Sequence, residues 1–119
     1  MAKYHLTGPA NDDIADALDW SVERFGENER NRYAVLIASA IRELAADPEH
    51  ASSKARPELG ERIRSWHLRI SRDHVEGNHV QQPRHVIFYR VDGDLVIIGR
   101  VLHDVMDFQR HLDDALWYE

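Results

Sequence analysis

Residues 83–112 leave this chain the fewest options, because two runs of β-branched and aromatic residues there flank a turn dipeptide. Residues 85–91 and 94–102 have strand composition, and Asp92-Gly93 between them suits a two-residue type I′ turn. The reading is a β-hairpin. Both strands are apolar on both faces (Val86, Ile87, Phe88; Leu95, Val96, Ile97, Ile98), which requires that they be covered on each side or lie centrally in a sheet, so the hairpin is the middle of the domain. With Asp92-Gly93 as the loop, Val91 faces Asp94, Tyr89 faces Val96, Phe88 faces Ile97 and His85 faces Arg100. Arg100 and His103 then stand where regular pairing stops, a place that a rigid scaffold presents to solvent.

The 119 residues fit one domain, 1–119, large enough to bury roughly 65% of its unfolded surface. No cysteine is present, which excludes disulfides and thiolate metal sites and suits a reducing cytoplasm. No apolar run approaches the ~20 residues of a membrane span, and the first ten residues lack the apolar core of a signal peptide. The expectation is a soluble cytoplasmic protein with no membrane contact. The net charge of −6 argues against a general nucleic-acid binder. Its distribution is uneven: residues 51–90 hold eight basic and four acidic side chains, whereas the segments before and after are each acidic by five. A local cationic surface is compatible with that pattern; a cationic protein is not.

Residues 3–6 form a short strand candidate ended by Thr7-Gly8-Pro9, with Thr7 able to cap a helix. Ala10, Ile14, Leu18, Val22 and Phe25 keep helical spacing up to Gly26. Trp20 then falls on the polar side with Asp13, Asp16 and Arg24, so either another element covers it or it anchors a partner. Asn28 opens a second helix with Tyr33, Leu36, Ile37, Ala40, Ile41 and Leu44 inward, stopping before Pro48. Two intervening residues force an antiparallel helical hairpin. Residues 48–60 read as a loop, 62–70 as a strand and 71–84 as a long connection. Asp104 can cap a short terminal helix that lays Met106, Leu112 and Leu116 on the sheet. The fold class is α+β, in the order β-α-α-β-β-β-α, with the helical hairpin packed on an antiparallel sheet.

No phosphate-binding glycine loop, GxSxG, HExxH or CxxC is present, and no cofactor is expected. His103, Asp107 and His111 recur every four residues, a weak resemblance to a metal-ligand face, but Asp107 serves the helix start better and no metal site is assigned. A histidine with several arginines near a sheet could instead cleave RNA without metal.

Taken together, YHLTGPANDDI at residues 4–14, Phe25-Gly26 at the helical bend, IRSWHL at 63–68, HVIFYRVDGDLVIIGRVLH at 85–103 and MDFQRHL at 106–112 resemble the RelE/ParE toxin superfamily, and within it the ParE branch. The resemblance spans residues 3–112 and implies the toxin half of a type II toxin–antitoxin pair, silenced by a small ParD-like antitoxin. ParE toxins act on DNA gyrase; RelE toxins cut messenger RNA on the ribosome. RNA-cleaving relatives commonly have arginine where Val86 stands, and a His-Tyr or Arg-Tyr pair where this chain has His103-Asp104.

Those departures remove a phosphate-stabilising cation and put a carboxylate beside the base, which ranks gyrase inhibition above RNA cleavage. The protein is then an inhibitor rather than an enzyme, with no sequence-specific DNA binding of its own. Its expected target surface is Arg64, Arg69, Arg100, His103 and Arg110. Its expected antitoxin contacts are Trp20, Arg24 and Tyr33, under an extended or helical tail wrapping the helical hairpin. Were it a ribonuclease, His103, Arg100 and Tyr89 would be the catalytic candidates. A third alternative is a non-toxic interaction module of the same fold.

Overall fold

The computed structural model describes residues 3–75, 77, 80–112 and 117. A first strand, β1 (Lys3–Leu6), leads into α1 (Gly8–Phe25) and α2 (Glu27–Ala46). Then come β2 (Lys54–Ala55), β3 (Ile63–His67), β4 (His85–Asp92) and β5 (Leu95–His103). Among the described residues no helix is long and apolar enough to cross a membrane.

Thr7 caps α1 as its sequence position implies. Its hydroxyl oxygen accepts from the Ala10 N–H at 3.1 Å while its own O–H donates to the Gly99 carbonyl at 2.8 Å, tying the helix start to β5. One residue makes the bend between the helices: Gly26, at φ 87°, ends α1 and begins α2, so Asn28 is already inside the helix rather than at its start. The inward positions of α2 from Tyr33 to Leu44 are all buried. The inward face of α1 is rotated from the expected one. Ala10, Asp13, Ala17 and Ser21 are buried, whereas Phe25 is 60% exposed. The side of α1 that carries Asp13 and Trp20 is therefore turned inward together with Ile14 and Leu18, while Asp16 and Arg24 stay exposed.

The five strands run in the order β1-β5-β4-β3-β2. The sheet is mixed rather than antiparallel, since β1 pairs parallel to β5. The two-residue β2 lies in a region that reads as loop, because so short a strand has no periodicity to detect.

The register of the central hairpin differs from expectation. Asp92 pairs with Leu95 and Val91 with Val96, so Gly93-Asp94 are the loop residues. Gly93 sits at φ 64°, whereas Asp94 is not at positive φ, the pattern of a type II′ turn. A second offset follows between Phe88 and Tyr89, where Tyr89 faces Ile98 and Phe88 faces Arg100, leaving Gly99 as an extra residue in β5. Beyond that bulge the faces of β5 exchange. Val101 joins the helix-side core and Leu102 packs on the other side. His85 consequently faces His103, not Arg100.

Both faces of the hairpin are covered, as its composition requires. The helices cover Ile87, Tyr89, Val96 and Ile98. On the opposite face Met106, Phe108 and Leu112 pack over Val86, Phe88 and Leu102, and Trp117 closes on Ile63 and Ile97. Each such large apolar side chain contributes about 1.5–3 kcal/mol when fully buried. The expected terminal helix is not what does this. Residues 104–112 hold a 3-10 turn at Phe108–Arg110, and Leu116 lies outside the described residues. Asp104 does not cap a helix, because its carboxylate is taken by Arg84.

Candidate functional site

Strand pairing brings three histidines to one end of the sheet. His67 ends β3 opposite Val86, and His85 opens β4 opposite His103 at the end of β5. Trp20 of α1 lies over this end, its ring centroid 5.3 Å from His85, 5.5 Å from His103 and 5.9 Å from Tyr33. A buried Tyr33 hydroxyl sits within this group. It accepts from the Arg84 N–H at 3.0 Å and shares a hydrogen bond with His85 Nδ1 at 2.6 Å. Burial pushes the Tyr33 hydroxyl up to about 12, and burial together with the neighbouring His103 pushes His85 down to about 4.

Asp104 collects the polar groups on the outer side. Arg84 donates to its two oxygens at 3.0–3.2 Å, His67 Nε2 lies 3.3 Å away, and the Asp104 N–H donates to the Arg84 carbonyl at 2.7 Å. Partial burial alone would raise its carboxyl, but the hydrogen bonds from Arg84 and His67 outweigh that and hold it below the usual range. His67 and His103 are both lowered, chiefly by burial. All three histidines are thus held toward the neutral form around one ionised carboxylate.

Beside this group, Trp20, Phe25, Tyr33, Val80 and Gln81 line a mainly apolar cavity of about 220 Å³. Phe25 meets Trp20 edge-on at 5.8 Å, and the Arg24 guanidinium lies 5.7 Å from the Trp20 ring. Trp20, Arg24 and Tyr33 are therefore brought together, with Tyr33 buried and Phe25 supplying exposed surface that the periodicity had turned inward.

The sequence profile described as ParE toxin of type II toxin-antitoxin system, parDE, matches residues 4–108. The chain belongs to the ParE toxin family. Toxin ParE1 of Caulobacter vibrioides is 30% identical over 112 residues, covering 94% of this chain and 99% of that protein. A solved structure, described as the chromosomal ParDE TA system from P. aeruginosa, has the same fold. Its TM-score is 0.64 at 16% identity, over 87% of this chain and 96% of that one.

In this ParE-family chain the other candidate residues are scattered. Arg100 does not project to solvent: Nε and Nη2 donate to Asp13 at 2.6 and 2.8 Å, and Nη1 donates to the His111 carbonyl at 3.0 Å. It thereby braces α1 and the C-terminal segment across the edge that β1 leaves open beyond Leu6. Tyr89 is fully buried and donates to the Pro48 carbonyl at 2.5 Å. His103 sits under Trp20 with Nδ1 accepting from the Val105 N–H at 3.3 Å. Arg64 donates to the Ser53 hydroxyl at 2.8 Å. Arg110 is exposed beside Asp107 at 3.9 Å, and Arg69 is exposed next to His67. Among the described residues no group of three histidine or carboxylate side chains is placed to hold a metal ion; without the expected helix His103, Asp107 and His111 share no helix face.

Sequence reasoning missed Asp13, Arg84 and the pairing of His85 with His103. The last was accessible from the correct turn, since loop residues Gly93-Asp94 and one extra residue in β5 bring those histidines opposite. The first two are partners at long range and leave no local periodic trace.

Proposed function

We propose that this ParE-family toxin inhibits DNA gyrase by docking, without hydrolysing anything itself, and that a ParD-like antitoxin neutralises it at the cavity of Trp20, Phe25 and Tyr33. Family membership supports the toxin role, and one observation favours docking over RNA cleavage: the arginine and the tyrosine named as catalytic candidates with His103 are each engaged elsewhere. Arg100 is bound to Asp13, and Tyr89 is buried against Pro48. Neither lies beside His103, the one candidate base, so phosphorane charge would meet no arginine from this set. For the antitoxin, an apolar side chain entering the cavity and a carboxylate meeting Arg24 would match the surface. An ordering tail loses several kcal/mol of its interaction energy on binding, and the exposed Phe25 with Trp20 behind it offers the apolar area to offset that.

Two assays in parallel test the reading: gyrase supercoiling of plasmid DNA scored for trapped cleaved DNA, and translation reactions scored for cut messenger RNA. The expected result is loss of supercoiling with intact message, reversed by the antitoxin. Cut message with unaffected gyrase would sink the docking mechanism. Trp20→Ala should weaken antitoxin capture by at least tenfold, the effect of losing a hot-spot tryptophan.

A further inference from the structure

A polar cavity of about 380 Å³ opens where β2, β3 and the turn after β5 meet; it shares only His67 and Asp104 with the histidine cluster and nothing with the aromatic cavity. Lys54, Arg56 and Arg69 line it, together with the serines at 52, 53 and 65. One carboxylate, Asp104, reaches its wall, and Arg84 already neutralises that charge. Arg56 is held in place: Nε donates to the Ser65 hydroxyl at 2.9 Å, and the guanidinium lies 5.7 Å from the Phe108 ring. Its carboxylate neighbour, Glu58, is half exposed at 3.5 Å and lies outside the lining. Lys54 and Arg69 are exposed, and neither has an ion-pair partner among the described residues. The basic excess of residues 51–90 is thus partly gathered around one concave, hydroxyl-rich surface on an acidic protein.

We propose that this cavity is an oxyanion site that takes a phosphoryl group. Lys54 and Arg69 supply the charge, Arg56 a positioned guanidinium, and the Ser52 and Ser65 hydroxyls neutral donors, the Ser53 hydroxyl being committed to the Pro48 carbonyl. The volume exceeds that of a bare phosphate and admits the nucleotide unit of a strand as well as the free ion. Its role is binding and not cleavage. His67, the ring on its wall, has Nδ1 accepting from the Arg69 N–H at 3.1 Å and Nε2 against Asp104, so neither nitrogen is available as a base. The site stands whether or not gyrase is the target, because its test needs neither gyrase nor antitoxin.

The full chain is titrated with a short fluorescein-labelled single-stranded DNA, read by anisotropy, and with inorganic phosphate, read by backbone amide shifts. Lys54→Ala/Arg69→Ala should weaken strand binding at least tenfold. It should also flatten the dependence of log K on log salt by about 1.4, the contribution of two phosphate contacts on a single strand. Lys3→Ala/Arg30→Ala removes the same charge from the far sheet edge and the start of α2, and should leave both readings unchanged. Because Lys54 and Arg69 are exposed, the fold is expected to survive, and unchanged near-ultraviolet circular dichroism of each variant checks it. Lys54→Arg/Arg69→Lys keeps the charge and should restore binding. Amide shifts around β2 and β3 with phosphate alone would assign the free ion as ligand; shifts there together with strand binding would assign a nucleic-acid backbone. Binding of neither probe, or equal loss in the two alanine pairs, would overturn the proposal.

Discussion

Two arginine–aspartate pairs span this fold, and they differ in what surrounds them. Asp13 and Arg100, joined across 87 positions, are deep: their side chains are 10% and 20% exposed, and the Asp13 carboxylate also accepts from the Val101 N–H at 2.9 Å. Asp104 and Arg84 lie nearer solvent, with 26% and 44% exposure, and share their carboxylate with His67 beside the His103 ring. The buried pair has both carboxylate oxygens committed to holding layers together. A half-exposed pair among histidines responds to pH and to whatever binds beside it. Similar sequence chemistry thus serves as a brace in one place and as an electrostatic hub in the other.

The largest effect should come from breaking the brace. Asp13→Ala strands the Arg100 guanidinium and the Val101 N–H in a buried setting, and should cost about 3–5 kcal/mol of stability, read as a lower urea midpoint. Replacing both partners by apolar residues, Asp13→Leu with Arg100→Met, should recover most of that loss, because the penalty lies in the unpaired charge rather than in the absent attraction. A cost below about 1 kcal/mol for Asp13→Ala would place this pair with ordinary surface salt bridges and erase the contrast.

Next in size is the pH response of the histidine end. His85 is held at about 4 in the fold against an ordinary value of 6.5, so the unfolded chain takes up a proton first as pH falls. Stability is therefore unaffected by this group above about pH 6.5, declines between 6.5 and 4, and levels off below, a total of about 3 kcal/mol. His67 and His103 are lowered too and act in the same direction. Urea unfolding at a series of pH values should show that decline, and His85→Phe should flatten most of it. A decline unchanged in His85→Phe would move the response to the other two rings.

The contrast also explains what the sequence reveals and what it hides. The helical hairpin and the central strands are legible, because burial imposes period 3.6 on Tyr33, Leu36, Ala40 and Leu44, and double-sided coverage makes the runs through Phe88 and Ile97 continuous. The family resemblance was legible too, from residues spread along the chain. The register was not, since Asp92-Gly93-Asp94 offers a glycine to either of two loops and only pairing chooses. Asp13 and Trp20 look misplaced on α1 until Arg100 and the two histidines arrive from the far end of the chain. Asp104 reads as a helix cap because its actual partner, Arg84, is brought to it by strand pairing. What local spacing cannot encode is which distant charge a polar residue meets.

The smallest effect should come from the hub. Asp104→Asn keeps size and some hydrogen bonding but loses the charge held by Arg84 and His67, and partial exposure discounts the loss to about 1 kcal/mol near neutral pH. The sign is set by a carboxyl that titrates below its ordinary 3.8 in the fold. Its stabilisation is fully present above 3.8 and disappears as pH falls through the lower folded value, so wild type and Asp104→Asn should converge only in that acidic range. That window lies below the histidine one, which lets a single urea series separate the two contributions. If Asp104→Asn instead cost as much as Asp13→Ala, at every pH above 4, Asp104 would be a second brace, and the histidines around it would be packing rather than a responsive site.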